Sequence, residues 1–182
     1  YWYLLIAHLK NWLLWLQILA DLKKPANTRK HAGFCTFTEI NSMPSTNEVV
    51  NHMMQHDLFS QWLGIEVIAV QEGYSKIKMN VRPEMINGFG IVHGGVAFSL
   101  GDSAFAFACN NRNNLSVALD TSINFIKPVH VGDVLTAEAK ELHNGRSTGL
   151  YHIQIFNQND HLVAQFKGTC YRTGKELLSV NQ

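Results

Sequence analysis

The spacing of hydrophobic residues changes several times along the chain, and each change predicts a different element of secondary structure. From residue 45 onward, hydrophobic residues recur every three or four positions, as they do on one face of a helix. Ser45 is followed three residues later by Glu48, the pattern of a capping box, which predicts that a short amphipathic helix begins here. A second helical turn is predicted over residues 58–63.

Two segments with alternating apolar positions then predict a β-hairpin. The alternating positions are Ile65, Val67 and Ala69 and, after a turn at Gly73, Ser75, Ile77 and Met79. A period of two is the pattern of a strand with one buried face. Pro83 is expected to break the second strand, and residues 87–90 supply a loop.

The most apolar segment of the chain predicts a long helix from about Gly94 to Asn110. Because it is apolar almost all round, this helix must be wrapped by other helices or by a curled sheet. Four strands separated by turn sequences are predicted after it, over residues 115–126, 134–142, 149–157 and 162–171. One central helix wrapped by a strongly curved antiparallel sheet is the α+β hotdog fold. Its exposed sheet edges would pair with another copy, so at least a dimer is expected.

Length and composition indicate a single globular domain. The chain has 182 residues, 46% hydrophobic and 16% charged, which is enough for one sizeable core. Its formal net charge of +1 gives no basic excess, so no nucleic-acid partner is expected. Three cysteines favour a reducing compartment, taken here as cytoplasmic, and no metal is expected because the nine histidines lack ligand spacing.

Residues 1–42 differ in character from the rest and begin with a run rich in Trp and Leu. Lys10 and Asn11 interrupt this run at its middle, where a charge is costly in a bilayer, so no membrane span is expected. Met43 begins a segment that resembles a natural start followed by a helix cap. We therefore expect the domain to cover residues 43–182, preceded by an extension that arose by cloning or upstream translation.

Asp102 is conspicuous because it falls in the middle of the apolar helix, between Leu100 and Phe105. A carboxylate there is costly to bury unless it is paired or used, and an apolar setting would raise its pKa toward a value useful for a general base. Its position leaves two interpretations open, a catalytic group or a structural aspartate bonded to a neighbouring strand.

Gly94 and Gly95 begin the same helix, where amide groups lack intrahelical acceptors and the helix dipole is positive. Such amides can polarise an acyl carbonyl, although the two glycines can equally serve a tight turn. Eight residues separate Gly94 from Asp102, or roughly 12 Å along a helix, which is too far for both to contact one carbonyl group. Two copies with antiparallel central helices would bring them together, giving two equivalent sites per dimer.

The stretches 87–95 and 98–106 resemble the motifs of the PaaI-type hotdog thioesterases, a family of phenylacetate degradation. The resemblance extends through residues 124–128 and 132–133 and covers about residues 47–174. It implies an acyl-CoA thioesterase that releases free acid and CoA and needs no cofactor, since CoA is part of the substrate. The implied acyl group is (hydroxy)phenylacetyl or a similar aryl or medium-chain group.

The resemblance also implies a role for each motif residue. Asp102 would activate water or attack the thioester itself, and Asn87 would position the water or the substrate. Gly94 would donate its N–H to the thioester oxygen from the opposing subunit. His93 is expected to be mainly a structural part of the turn, bordering the substrate site together with Gly95.

Further residues are candidates for binding. Thr121 and Ser122, on the strand that leads to Pro128, are candidates for orienting water. The candidates for contacting the CoA phosphates are Arg146, Ser147 and Thr148 at a predicted turn, with Lys127 and Lys167 as further possibilities. The phenylalanines at 98, 105 and 107 either line an aromatic pocket or belong to the core.

Two other functions compete with hydrolysis. A non-catalytic acyl-CoA-binding hotdog module would bind the same ligand, although no DNA-binding segment accompanies the domain. A hotdog dehydratase needs a histidine paired with an acid, and His93 and Asp102 lie about two and a half turns apart on one helix. The expected assembly is a homodimer with shared sites, paired further into a homotetramer.

Overall fold

The structure, a computed structural model, describes residues 43–179. Its elements in chain order are helices α1 (Thr46–His56) and α2 (Leu58–Leu63), strands β1 (Glu66–Gln71) and β2 (Tyr74–Asn80), a 3-10 turn (Pro83–Met85), helix α3 (Gly94–Asn110), and strands β3 (Asn114–Phe125), β4 (Val134–Asn144), β5 (Thr148–Phe156) and β6 (Leu162–Glu176). The predicted order and type of the elements are confirmed. The prediction for residues 1–42 lies outside the described residues.

Strand β6 is longer than the sequence predicted, since it continues to Glu176. Polar and charged residues fill this continuation, so no hydrophobic alternation indicates a strand there. Its partner is the start of β3, where Asn114 pairs with Glu176 and Ser116 with Arg172. A strand pairing therefore extends β6 where the local pattern does not.

The six strands form one antiparallel sheet in the order β1-β2-β4-β5-β6-β3. The sheet has two edges, β1 and β3, and α3 packs against all six strands. This arrangement confirms the predicted α+β class with one long helix held by an antiparallel sheet. Edge strand β3 exposes large apolar side chains, among them Leu119 and Phe125.

The core lies between α3 and the sheet and contains most of the helix's aromatic residues. Phe105 and Phe107 are fully buried. For these two residues, the structure shows the core role and not the lining of an aromatic pocket. Phe105 packs edge-on against Tyr151, with 5.5 Å between ring centroids. Gly168 in β6 lies directly beneath the Phe105 ring, where a Cβ atom would come within 2.7 Å of Cδ2.

Helices α1 and α2 pack beside α3 and are fixed by local caps. The predicted capping box of α1 is confirmed, because Ser45 and Glu48 each accept from the other's backbone N–H. Asp57 caps α2 by accepting from the Ser60 N–H at 2.9 Å, and the Ser60 hydroxyl lies 2.9 Å from that of Ser103 on α3. These bonds place the start of α2 against the middle of α3. No helix in residues 43–179 is long and apolar enough to span a membrane.

A buried arginine ties the turn between β4 and β5 to the C-terminal end of α3. Arg172 donates to the Cys109 carbonyl at 3.4 Å, to the Gly145 carbonyl at 3.2 Å and to the Asn144 side chain at 2.6 Å. Its side chain is buried, so these acceptors replace the lost solvation of the guanidinium.

Candidate active site

At the N-terminus of α3, the Gly94 N–H finds no acceptor among the residues that the structure describes. His93 is the N-cap, and its Nδ1 atom accepts from the Gly95 N–H at 2.9 Å. The Val96 N–H donates to the His93 carbonyl, also at 2.9 Å. Within residues 43–179 the Gly94 N–H has no acceptor, so it is available to a ligand at the positive end of the helix dipole.

Asn87 organises the loop that precedes α3. Its side-chain oxygen accepts from the Phe89 N–H at 2.8 Å, and its backbone N–H donates to the Ile91 carbonyl at 2.7 Å. A bridge between Ile86 and Val92 closes the loop. The Asn87 side-chain NH₂ finds no acceptor among the described residues, so this group can still donate to a ligand.

Gly94 and Asn87 lie on the wall of one cavity of about 240 Å³, here called the β3 cavity. Other residues of its wall are Ala97, Phe125, Lys127 and Val129. The ring of Phe125 packs directly on Gly94, where a Cβ atom would approach its Cζ atom to 3.0 Å. Glycine at position 94 thus lets both this ring and a ligand approach the helix end closely.

Asp102 lies in the middle of α3 and is only half-buried. Burial raises the pKa of its carboxyl group above the ordinary value, and the nearby charge of Asp57 raises it further. Within the described part of the chain the carboxylate accepts no hydrogen bond, so the bond to a neighbouring strand that a structural aspartate would make is not observed there.

Gly94 and Asp102 do not meet within one chain. Helix α3 is continuous from Gly94 to Asn110, so eight residues of rise separate the two by roughly 12 Å. Accordingly, the wall of the β3 cavity does not include Asp102. Within the described residues, the open N–H at the end of α3 and the carboxylate in its middle are therefore two separate features of one chain.

Comparisons with known proteins agree with this architecture. The model of the family described as the thioesterase superfamily matches residues 89–164. The acyl-coenzyme A thioesterase PaaI of Escherichia coli is 43% identical over 122 residues, which span 67% of this chain and 87% of that protein. The chain belongs to the thioesterase superfamily. The resemblance to PaaI-type hotdog proteins is confirmed, and the protein is a thioester hydrolase.

Solved structures support the same conclusion. The structure of PaaI from the phenylacetic acid degradation operon of E. coli matches the thioesterase with a TM-score of 0.70 and 40% identity, covering 72% of this chain and 95% of that one. A Streptococcus mutans protein bound to acetyl CoA matches with a TM-score of 0.59 and 28% identity, covering 62% and 90%.

The structure separates the two hydroxyl candidates on β3 of the thioesterase. Side chains alternate along a strand, and Phe125 faces α3 through its contact with Gly94. No bulge interrupts residues 120–125, so Thr121 shares this face and Ser122 points to the other. Of the two, only Thr121 is directed toward the helix of its own chain.

The candidate CoA-binding turn lies far from Gly94. Arg172 holds this turn, which contains Arg146, Ser147 and Thr148, against the Cys109 end of α3. About 15 residues of helix, or roughly 22 Å, separate that end from Gly94. Arg146 and Ser147 are exposed. Their predicted role toward a ligand at Gly94 therefore requires a second copy of the chain, as the role of Asp102 does.

Two features near the site were missed by sequence reasoning. Asp57 places a second negative charge near Asp102, and Phe59 and Trp62 on α2 expose their rings beside α3. The sequence signal for the exposed rings was the spacing of these two aromatic residues, which lie three positions apart on one helical turn. The part of the chain that the structure describes contains no cluster of three metal-ligating side chains. The absence of a metal stays a prediction.

The position of Asp102 carries a cost in stability that a substitution can reveal. A carboxyl group whose pKa is raised by folding stabilises the protein at low pH, and this contribution is lost as pH rises through the folded-state pKa. At neutral pH the charged Asp102 therefore opposes folding. We expect Asp102→Asn to raise the free energy of unfolding at pH 7 and to lose this advantage near pH 4, as measured by denaturant titration at both values. Equal stability of the two proteins at pH 7 would contradict a desolvated carboxylate.

Proposed function

We propose that this thioesterase hydrolyses acyl-CoA thioesters to free acid and CoA, and that its acyl group is (hydroxy)phenylacetyl or a similar aryl or medium-chain group. The observation that carries the proposal lies on one helix, where Gly94 has an N–H and Asp102 a half-buried carboxylate that make no hydrogen bond within residues 43–179. The names of the relatives support the substrate class, since the E. coli protein is called an acyl-coenzyme A thioesterase.

The chemistry needs a base, a water molecule and a donor for the carbonyl oxygen. The Asp102 carboxylate accepts a proton from water while the water oxygen attacks the thioester carbon. The negative charge that develops on the carbonyl oxygen is stabilised by the Gly94 N–H. When the carbon–sulfur bond breaks, Asp102 returns the proton to the thiolate, which leaves as CoA. Alternatively, the Asp102 carboxylate attacks the thioester carbon itself, CoA leaves as the thiolate, and water hydrolyses the resulting anhydride. This route uses the same two groups and gives the same products.

The reaction requires two chains, because roughly 12 Å separate Gly94 from Asp102 within one. Antiparallel packing of two α3 helices would bring Asp102 of one copy to the Gly94 end of the other. Edge strand β3 supports this arrangement, since within residues 43–179 only β6 pairs with it, and it exposes apolar side chains such as Leu119 to a second copy. A further pairing of dimers into a tetramer would bury other exposed surface.

CoA carries phosphate groups, so its binding calls for cations near the site. Lys127 lies in the wall of the β3 cavity itself, next to Gly94 and Asn87. Lys167 is less suited, because its ammonium group lies 3.4 Å from the Asp120 carboxylate. Arg146 carries no such partner within the described residues and remains the candidate from the opposing copy. The acetyl CoA bound to the S. mutans relative supports this class of ligand.

A thiol-release assay tests the proposal. The thioesterase is incubated with phenylacetyl-CoA, hydroxyphenylacetyl-CoA, and a series of straight-chain acyl-CoAs, and free CoA thiol is measured over time. We expect the largest kcat/KM with an aryl or medium-chain substrate. Binding of these thioesters without thiol release would instead identify a non-catalytic acyl-CoA-binding module.

A dehydratase is not favoured by the site. That reaction needs a histidine free to exchange protons, whereas the Nδ1 atom of His93 accepts from the Gly95 N–H. The predicted structural role of His93 agrees with this bond.

A further inference from the structure

A second cavity, here called the α2 cavity, adjoins the N-terminus of α3 on the side away from Phe125. Its volume is about 320 Å³, which reaches the lower end of the range of about 300 to 1,000 Å³ found for ligand pockets. His93 belongs to the walls of both cavities, and Gly95 lies in the wall of the α2 cavity next to Gly94. The two cavities therefore share a wall at His93, the residue before Gly94.

An aromatic wall, formed by Phe59 and Trp62 of α2, covers one side of the α2 cavity. The two rings stack with 6.0 Å between centroids and an interplanar angle of 22°. Phe59 is 54% exposed and Trp62 58% exposed, although aromatic residues of this size normally bury most of their surface. Other wall residues are apolar as well, among them Met85, Ile86 and Val96.

Trp62 is held in place by an arginine. The guanidinium carbon of Arg82 lies 5.3 Å from the centroid of the Trp62 ring, a cation–π distance. The same guanidinium donates to the Trp62 carbonyl at 3.0 Å and to the Leu63 carbonyl at 2.9 Å. Arg82 is also paired with Glu84 at 2.6 Å. A ring so restrained loses little freedom when it contacts a ligand.

The two cavities differ in charge. This difference indicates which cavity binds the CoA part of a thioester and which binds the acyl part. The wall of the β3 cavity includes Lys127, whereas the described residues give the wall of the α2 cavity no Lys or Arg, and its Glu84 is paired with Arg82. CoA bears several negative charges, so its arm is attracted to the Lys127 ammonium group, whereas the paired Glu84 offers it no net positive charge. The uncharged acyl arm gains from the apolar surface of the α2 cavity.

We infer that the α2 cavity is the acyl-binding pocket and that Phe59 and Trp62 select for aryl over small acyl groups. This inference rests on the proposed function, because it assumes that the thioester carbonyl oxygen accepts from the Gly94 N–H. Stacked, exposed rings offer an aryl group an edge or a face, while an acetyl group presents only a methyl group to them. Phe59 and Trp62 are specificity-determining residues and take no part in proton transfer.

Turnover provides the first test. Kinetics with phenylacetyl-CoA and acetyl-CoA are measured for the natural chain and for Trp62→Ala, Phe59→Ala and Leu58→Ala. We expect the phenylacetyl-to-acetyl ratio of kcat/KM to fall about tenfold or more in the first two variants. Leu58 lies on the same helix, is 75% exposed and does not border the cavity, so Leu58→Ala is the matched control and should keep the ratio.

Equilibrium binding separates this inference from the proposed function. Phenylacetyl-CoA and acetyl-CoA are titrated into Asp102→Asn and into Asp102→Asn combined with Trp62→Ala or Phe59→Ala. We expect the added aromatic substitutions to weaken phenylacetyl-CoA binding about tenfold and acetyl-CoA binding less. An unchanged ratio in turnover and in binding, in folded variants, overturns the acyl pocket. If the aromatic substitutions selectively weaken phenylacetyl-CoA binding but the natural chain shows no turnover, the acyl pocket stands and hydrolysis is refuted.

Discussion

Replacing Asp102 with asparagine should lower kcat for the preferred acyl-CoA by about 100- to 10,000-fold, the contribution typical of a positioned acid or base. Asparagine has nearly the same shape but cannot accept the proton of the attacking water, nor can it attack the thioester. Because the carboxylate accepts no hydrogen bond within residues 43–179, the substitution leaves the described contacts intact. Steady-state thiol release, with thermal unfolding to verify the fold, measures the effect.

The pH profile of the natural chain supplies a check that a structural role would not produce. Asp102 must be deprotonated to act, and burial raises its pKa, so kcat should rise with pH along a limb displaced above that of an ordinary aspartate. Asp57→Asn is the matched control. Asparagine still caps α2 but removes the neighbouring charge, so it should move this limb to lower pH while the plateau remains. A limb that stays in place would refute the coupling of the two carboxylates.

Two inactive variants should restore activity when their chains share a dimer. Asp102→Ala removes the base, and Gly94→Val fills the space in front of the Gly94 N–H, where even a Cβ atom meets Phe125 at 3.0 Å. Each homodimer should lose about 100-fold or more in kcat, since loss of one oxyanion donor alone has effects of this size. In a mixed dimer one site combines the intact Gly94 of one chain with the intact Asp102 of the other. Such dimers should recover about half the activity of the natural protein.

Chains carrying two different affinity tags allow the mixed dimers to be isolated after co-expression. A mixed dimer of natural chain and Asp102→Ala serves as the control, because it also contains one complete site and should match the complemented dimer. Purified mixed dimers with no more activity than either parent would show that each site is built within one chain. The shared-site mechanism would then be wrong.

Most of the fold could be predicted from the sequence because its elements are encoded locally. The bounds of α3 follow from an apolar run that begins after a glycine-rich loop, and the cap of α1 follows from Ser45 and Glu48 alone. The end of β6 could not be predicted in the same way. Its last residues are polar, and pairing with the start of β3 makes them a strand.

The candidate site was predictable only where a residue's chemistry conflicts with its local surroundings. Asp102 is detectable as a carboxylate in an apolar helix. Phe59 and Trp62 give no such conflict in sequence, because aromatic residues on a short helix usually belong to a core. Their exposure becomes meaningful only when the cavity between α2 and α3 is seen.

The sequence by itself determined the order of elements, the central helix and the identity of its carboxylate, because periodicity, caps and turn residues act over a few positions. Only the tertiary structure decided which groups are free to act. Among the described residues, His93 accepts from the Gly95 N–H and no group accepts from that of Gly94, while Arg172 holds the turn with Arg146 at the opposite end of α3. The first outcome depends on the exact geometry of a hydrogen bond, and the second on bonds between residues far apart in the chain. A local sequence pattern specifies neither.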